Sequence, residues 1–132
     1  MDFSTPAQLR QQLITALGTE LGTYTTGSGQ VLPAIATIVD PNSKPVQEWV
    51  VNGLQCLIYY PLAKGVPVFG GACIQEDWQL RLIQHDRSKT CHQAYRRILI
   101  AHPDCQIQSQ LPQTSQIYEQ WNLTIPQFNK IN

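Results

Sequence analysis

The clearest pattern of apolar and polar residues lies near the C-terminus. Between residues 117 and 125, Ile117, Trp121, Leu123 and Ile125 occupy every second position, together with Glu119. Successive side chains of a β-strand point to opposite faces, so this alternation is typical of a strand with one face on a core and one in water. We therefore predict a half-buried antiparallel strand over residues 118–125.

The chain is predicted to open with an amphipathic helix. Thr5 can cap its N-terminus, Pro6 suits the first helical turn, and Gln8 stands at the reciprocal capping position. Gly22 marks its expected end. Apolar residues recur at helical spacing between these signals, at Leu9, Leu13, Ala16, Leu17 and Leu21.

A second helix is predicted shortly after Asp86. Ser88 is its candidate N-cap, and the sequence His102-Pro103-Asp104 ends it because proline cannot continue a helix. The inner face of this helix is expected to carry Cys91, Ala94, Tyr95, Ile98 and Leu99.

Three strands are predicted between the two helices. Residues 32–39 form a short apolar run that follows a turn-rich stretch over residues 24–30. Residues 49–60 form the longest strand candidate, with a change of pattern at Asn52-Gly53 that suits a β-bulge. Residues 74–85 alternate apolar and polar side chains and complete the set.

The segment 61–71 between the last two strands is predicted to be a loop. It is apolar at Leu62, Val66, Val68 and Phe69, but proline and glycine interrupt it too often for a central strand. The apolar side chains of such a loop need to be buried, either against the rest of their own domain or against a neighbouring subunit.

These elements predict one α+β domain over residues 1–132. A chain of 132 residues can bury one sizeable core but hardly two. The simplest architecture that covers the apolar faces is an antiparallel sheet of about four strands with two helices packed on one face.

Charge and hydropathy narrow the function classes. Nine Lys and Arg residues balance nine Asp and Glu residues, and charged residues make up 14% of the chain. Nucleic-acid binding requires a basic surplus, so we expect no direct, sequence-specific binding of nucleic acid. The sequence shows neither a run of about 18 apolar residues nor a signal peptide, so we expect a cytoplasmic protein that does not enter membranes.

Potential ligands and nucleophiles are densest around the second helix, at His85, Asp86, Cys91, His92, His102, Asp104 and Cys105. Zinc sites favour paired motifs such as CxxC or HxxxH, and neither occurs. A nucleophilic thiol is the other possibility, with Cys91 or Cys105 attacking and His85, His92 or His102 as the base. The pair Cys105 and His102 is sterically feasible, but no orienting group or oxyanion hole is evident. We favour a structural role for these residues, and predict no catalytic residue, metal or cofactor.

The order of elements resembles a known family. The chain resembles the small tail-terminator or tail-completion proteins of long-tailed phages and of prophage or injection-device tails. The resemblance rests on the order of six elements: the opening helix over residues 9–21, the short strand beginning Leu32-Pro33-Ala34-Ile35, the strands 49–60 and 74–85, the helix 91–101 and the final strand 118–125. The resemblance covers nearly the whole chain but includes no diagnostic motif. It implies an α+β subunit of a hexameric ring that caps the tail tube, without catalytic activity.

The resemblance leads to a functional expectation. We expect a non-enzymatic structural subunit that forms a homo-oligomeric ring, with a hexamer as the family's order, and that contacts tail-tube or head-tail connector proteins. It would be made in the cytoplasm and then reside in the virion or tail particle. Contacts are expected at Val66, Val68 and Phe69 of the apolar loop, and secondarily at Arg96 and Arg97 in the main basic concentration of the sequence.

A different class of function remains open. The chain could be a small-molecule or peptide-binding α+β module with a pocket between sheet and loop. The aromatic residues that would line such a pocket are Trp49, Tyr59, Tyr60, Phe69 and Trp78.

Overall fold

The computed structural model describes residues 3, 5–38, 50–68, 71–111 and 119–130. Its helices are α1 (Pro6–Leu17) and α2 (Cys91–Ala101), and a short 3-10 turn (Gly18–Glu20) follows α1. Its strands are β1 (Thr23–Thr25), β2 (Val31–Pro33), β3 (Ile35–Ile38), β4 (Val50–Asn52), β5 (Leu54–Val68), β6 (Gly71–Gln84), β7 (Gln106–Leu111) and β8 (Gln120–Lys130).

The described strands form two sheets. The larger has five strands in the order β3-β5-β6-β8-β7, and the smaller has three in the order β2-β1-β4. Neighbours are antiparallel throughout, except that β3 and β5 are parallel. The predicted single antiparallel sheet of about four strands is therefore wrong, because there are two sheets and the larger one is mixed.

Two of the predicted strands are each divided between the sheets. The apolar run 32–39 breaks at Ala34, whose amide donates to the carbonyl of Gly22 while its own carbonyl accepts from the Cys56 amide. The predicted strand 49–60 breaks at Gly53, which has a φ of 88° that favours glycine. What the sequence suggested as a bulge is thus a corner, where the chain leaves the smaller sheet and enters the larger one.

The predicted loop over residues 61–71 is also wrong, because β5 continues to Val68. After a register shift between Tyr59 and Leu62, β5 pairs with β6 as far as Val68 opposite Gly71. Proline removes an amide from the ladder and is tolerated where one side of a strand is unpaired. That condition holds here, since β3 pairs only with an earlier part of β5 in the described chain.

The strand β7 follows α2 and was not predicted. It pairs with β8 and is one edge of the larger sheet as the described strands form it. All six of its residues are exposed. Because it is largely polar on both faces, its sequence lacks the alternation that marks a half-buried strand.

Both helices pack against one face of the larger sheet. They contact each other, α1 also contacts β3 and β5, and α2 contacts β6. Neither helix in the described chain has the length and apolar character that crossing a membrane requires. The core between helices and sheet includes Leu9, Leu13 and Leu17 of α1, Ala94 and Ile98 of α2, and Leu54, Cys56, Ile58, Trp78, Leu80, Leu82, Trp121, Leu123 and Ile125 of the sheet.

Local capping signals account for the helix boundaries. The Thr5 hydroxyl accepts a hydrogen bond from the Gln8 amide at 3.2 Å, as predicted. The helix ends earlier than predicted, at Gly18, which has a φ of 52°. The cap of α2 is Thr90 rather than Ser88, because the Thr90 hydroxyl accepts the amide of the third helical residue at 3.2 Å.

The alternation near the C-terminus is confirmed for the part of it that the structure describes. Trp121, Leu123 and Ile125 are buried in the core, while Asn122 and Thr124 are half-buried on the opposite face. Residues 117 and 118 lie outside the described chain. Strand β8 therefore presents one apolar face to the helices and one polar face to the other side of the sheet.

Candidate functional site

The sheet face turned away from the helices carries a shallow polar groove of about 430 Å³. Side chains of four adjacent strands contribute to it, so at a strand spacing of about 4.8 Å it spans about 14 Å across the sheet. We call it the outer-face groove. Its lining residues are Tyr59 of β5, Gln79 and Arg81 of β6, Gln108 and Ser109 of β7, and Asn122, Leu123 and Thr124 of β8.

Arg81 is held at two points in the middle of the outer-face groove. Its Nε donates a hydrogen bond to Oδ1 of Asn122 at 3.1 Å. Its Cζ lies 5.3 Å from the centroid of the Tyr59 ring, a distance at which a cation is attracted to the π face. Asn122 is itself held, since its Nδ2 donates to Oγ of Ser109 at 2.7 Å. A chain of contacts thus crosses all four strands.

A β-bulge places Ser109 on this face. The register of β7 against β8 shifts between Ile107, opposite Leu123, and Ser109, opposite Asn122. In a regular strand, residues 107 and 109 would point to the same face. Because Gln108 is the extra residue of the bulge, they instead pair with neighbouring β8 residues and point to opposite faces. Bulges commonly redirect a side chain in this way beside binding sites.

Among the described residues that line the outer-face groove, Arg81 is the only charged one. Guanidinium carries five N–H donors, of which Asn122 takes one. Within the described residues no carboxylate pairs with Arg81, and the side chain is half-buried. The groove therefore holds a fixed positive charge whose terminal N–H groups are open to a ligand.

The cysteines suggested as nucleophiles are buried. Burial, and secondly the charge of Glu119, raises the pKa of the Cys91 thiol to about 12. Its Sγ lies 3.7 Å from the carbonyl oxygen of Leu82 and 3.8 Å from that of Glu119. Burial likewise raises the pKa of Cys105 to about 12. A thiol with so high a pKa forms too little thiolate for nucleophilic attack.

The histidines do not converge on these thiols. His102 is buried and packs edge-on against Phe3, with ring centroids 5.7 Å apart. Burial lowers the pKa of its imidazole. His92 is exposed on α2 and its ring lies 6.1 Å from that of Trp121. Across the described residues there is no group of three or more His, Cys, Asp or Glu residues that could hold a metal ion.

Asp86 and His85 hold the loop after β6 in place through hydrogen bonds. The Asp86 carboxylate accepts the amides of Gly53 and Ser88, each at 2.8 Å, and also the Ser88 hydroxyl. These hydrogen bonds, led by those from Ser88, lower the pKa of Asp86. His85 Nε2 lies 2.8 Å from Oε1 of the buried Gln55. The contacts fix the loop after β6 to the junction between the two sheets.

The described residues among those predicted for intersubunit contact lie on two different elements. Arg96 and Arg97 are exposed on α2. Val66 and Val68 lie on β5, opposite Cys73 and Gly71 of β6. Phe69 lies outside the described residues. The role of these residues in contacts between subunits stays a prediction.

The two described side chains of the aromatic pocket considered from the sequence, Tyr59 and Trp78, lie on opposite faces of the sheet. Trp78 is buried in the core, where its ring contacts Phe3 at a centroid distance of 5.2 Å. Tyr59 instead lines the outer-face groove on the opposite side of the sheet. The two rings therefore cannot line a common pocket, and Trp49 and Phe69 lie outside the described residues.

The edge strand β7 is a second surface of interest. An exposed edge presents unpaired backbone N–H and C=O groups, which proteins usually protect with lysine, proline or a bulge. In β7 the bulge is present, but no residue is charged and none is proline. Its apolar residues Ile107 and Leu111 are 37% and 48% exposed. This edge is therefore suited to pairing with another strand.

Sequence reasoning missed the outer-face groove and the edge β7. The groove depends on cross-strand register, which brings Arg81 opposite Asn122 although they are far apart in the chain. Alternation did identify the strands that carry these two residues. Comparison with protein-family models, curated proteins and solved structures found no match to this chain.

Proposed function

We propose that this protein is a non-enzymatic structural subunit that forms a homo-oligomeric ring, completing or capping the tail tube of a phage or prophage-like particle. The edge strand β7 is the observation that carries self-assembly, because six exposed and uncharged residues offer a strand-pairing surface without charge repulsion. The link to a tail rests on the resemblance in the order of elements.

A ring requires two different surfaces on each subunit. Pairing of β7 with β7 of another copy would be isologous and would produce a two-fold dimer, whereas a head-to-tail contact can close into a ring. In the described chain the larger sheet has two unlike edges, β3 and β7. We therefore expect β7 of one subunit to pair with β3 of the next.

One strand pair is too small an interface by itself, since stable interfaces bury about 1,000 Å² or more. The predicted contacts at Val66, Val68 and Phe69, and at Arg96 and Arg97, would enlarge it or would bind the tail-tube or connector proteins above and below the ring. Assembly would take place in the cytoplasm before the subunit enters the particle.

The oligomer is tested by light scattering coupled to size exclusion, over a wide concentration range and at two salt concentrations. We expect a mass of about six subunits, the ring order implied by the resemblance. Leu111→Lys should reduce it, because an inserted edge lysine opposes strand pairing. Ile100→Lys is the matched control, since Ile100 is 80% exposed but lies on α2. A monomer at all concentrations, or an unaffected Leu111→Lys oligomer, would contradict the proposal.

A second candidate, a small-molecule or peptide-binding module, is favoured by the outer-face groove and by the Arg81 guanidinium, with which no carboxylate of the described residues pairs. The two functions differ in what they predict for purified protein. A binding module would be a monomer whose melting temperature rises with ligand, whereas a ring subunit would have a melting temperature that depends on its own concentration.

A further inference from the structure

We propose that the outer-face groove binds a carboxylate on an extended peptide segment of a partner protein, and that Arg81 is the residue that recognises it. This inference does not depend on ring formation, because all the described residues that line the groove belong to one subunit. It assigns a ligand class to a surface on the face opposite the core.

The orientation of Arg81 leaves it suited to a carboxylate. Its Nε is engaged by Asn122, so the two terminal nitrogens, with four N–H groups, remain for a ligand. Two terminal nitrogens can donate in parallel to the two oxygens of a carboxylate, which is a strong and specific pairing. Contact with Tyr59 limits the other orientations of the side chain.

The rest of the groove favours a peptide with a single negative charge. Apart from Arg81, the described residues that line the groove are uncharged, and their polar side chains are amides and hydroxyls that both donate and accept hydrogen bonds. These groups suit the N–H and C=O groups of a peptide backbone. One cation balances one carboxylate, whereas phosphate recognition normally gathers several cationic or N–H donors.

The dimensions of the groove fit the same ligand. A length of about 14 Å corresponds to about four residues of extended chain at about 3.3 Å per residue. A lone small anion would occupy only part of a groove of about 430 Å³. An extended segment with an acidic residue at its centre would place the carboxylate at Arg81 and fill the groove on both sides of it.

Asn122 and Ser109 are positioning residues in this site. Asn122 fixes the guanidinium by accepting its Nε–H, and Ser109 fixes the Asn122 amide. The Gln108 bulge places that hydroxyl on the correct face. Recognition thus depends on contacts between strands that are already in place before a ligand arrives.

The direct test is a nuclear magnetic resonance titration that follows the Arg81 Nε–H signal. The probe is the acetylated and amidated peptide Ser-Gly-Glu-Gly-Ser, and its twin has Gln in place of Glu. We expect saturable shifts with the Glu peptide and binding at least about tenfold weaker with the Gln peptide, because the charge-assisted pair is lost. Inorganic phosphate is titrated separately and should bind more weakly than the Glu peptide.

Variants separate recognition from folding. Arg81→Gln should weaken Glu-peptide binding at least about tenfold, and Arg81→Lys should restore it only partly because lysine lacks the planar fork. Arg10→Gln is the matched control, since Arg10 is a half-buried arginine like Arg81 but lies on α1, on the side of the sheet opposite the groove. Binding of the Glu peptide by the control should equal that of the unsubstituted protein, and melting temperatures should show that all variants are folded.

Asn122→Asp tests the positioning role. It retains an oxygen beside Nε but gives Arg81 an internal carboxylate, so Glu-peptide binding should fall more than in Asn122→Ala. A merely structural role would predict the opposite order, since Asp is closer to Asn in shape than Ala is.

Three outcomes would overturn the inference. They are equal binding of the Glu and Gln peptides, tighter binding of inorganic phosphate, and a change of oligomer mass in Arg81→Gln without any peptide binding. The last result would mean that a second copy of this chain occupies the groove. Failure of the ring would appear only in the mass measurement, so the two proposals fail separately.

Discussion

At the residue scale, burial determines what the titratable side chains can do. His102 is 3% exposed, and its Nε2 has no hydrogen-bond partner within the described residues. A buried imidazole resists protonation because the charged form loses hydration. The cluster of histidines and cysteines around α2 is therefore best understood as part of the packing, with consequences for stability.

His102 should make the free energy of unfolding depend on pH. Its pKa is lowered in the folded protein from the ordinary 6.5, so below that value the unfolded chain binds a proton that the native protein does not. Stability should therefore fall as pH decreases from about 7 to about 5. His102→Gln should reduce this slope in urea unfolding measured at several pH values.

His92→Gln serves as the control for that measurement, because His92 is exposed in the first turn of α2, the helix that His102 follows. His85, whose pKa is also lowered by burial, leaves a residual slope in His102→Gln. The lowered pKa of Asp86 affects a more acidic range, below its ordinary value of 3.8. An unchanged slope in His102→Gln would show that His102 does not contribute.

At the element scale, the corner between the two sheets is the least tolerant part of the fold. The Gly22 amide donates to the carbonyl of Leu54 at 2.8 Å, and the Gly22 carbonyl accepts the Ala34 amide at 2.9 Å. Gly53, with its positive φ, lies against Gly22 at the same point. Both passages of the chain between sheets thus meet at one pair of glycines.

Gly22→Ala should destabilise the protein by about 3 kcal/mol or more, because an added Cβ forces the backbone apart. That atom would lie 2.2 Å from the Asn52 carbonyl oxygen and 2.6 Å from the Leu54 nitrogen. Gly27→Ala is the matched control, since Gly27 is exposed with nothing within 4 Å of the added atom. Chemical denaturation of both variants measures the difference, and equal stabilities would contradict this account of the corner.

Capping residues and hydrophobic periodicity correctly predicted the elements that are determined by residues close together in the chain. The cap at Thr5, the inner face of α2 and the alternation of β8 all follow from residues close together in the chain. The division of two predicted strands between sheets was not predictable in the same way. It depends on hydrogen bonds such as that from Ala34 to Gly22, which join separate segments.

The missed strands have physical reasons of their own. The prolines after Tyr60 suggested a loop, but they are accommodated because β5 is paired on one side there in the described chain. Strand β7 is exposed on both faces and so carries no hydrophobic period. The outer-face groove needs the pairing of Arg81 with Asn122, and register is a property of the folded sheet rather than of either strand alone.

At the scale of the whole molecule, low charge and two unlike sheet edges are consistent with self-assembly. The net charge is zero by count of Lys, Arg, Asp and Glu, so long-range repulsion between copies is weak. In the described chain, β3 and β7 stand at opposite ends of the larger sheet. A head-to-tail ring would use both edges of every subunit, whereas a two-fold dimer would use one edge twice.

Mixing two edge variants distinguishes these arrangements. Leu111→Lys blocks β7 but leaves β3 intact, and Thr37→Lys places a charge on the half-buried middle of β3 while leaving β7 intact. If β7 pairs with β3, each variant should be monomeric alone, and an equal mixture should form dimers that cannot grow, because each dimer retains only blocked edges. If β7 pairs with β7, Thr37→Lys should dimerise alone, and mixing should add nothing. Light scattering of the two variants and their mixture therefore decides between a ring and a two-fold dimer, once circular dichroism has shown that both variants are folded.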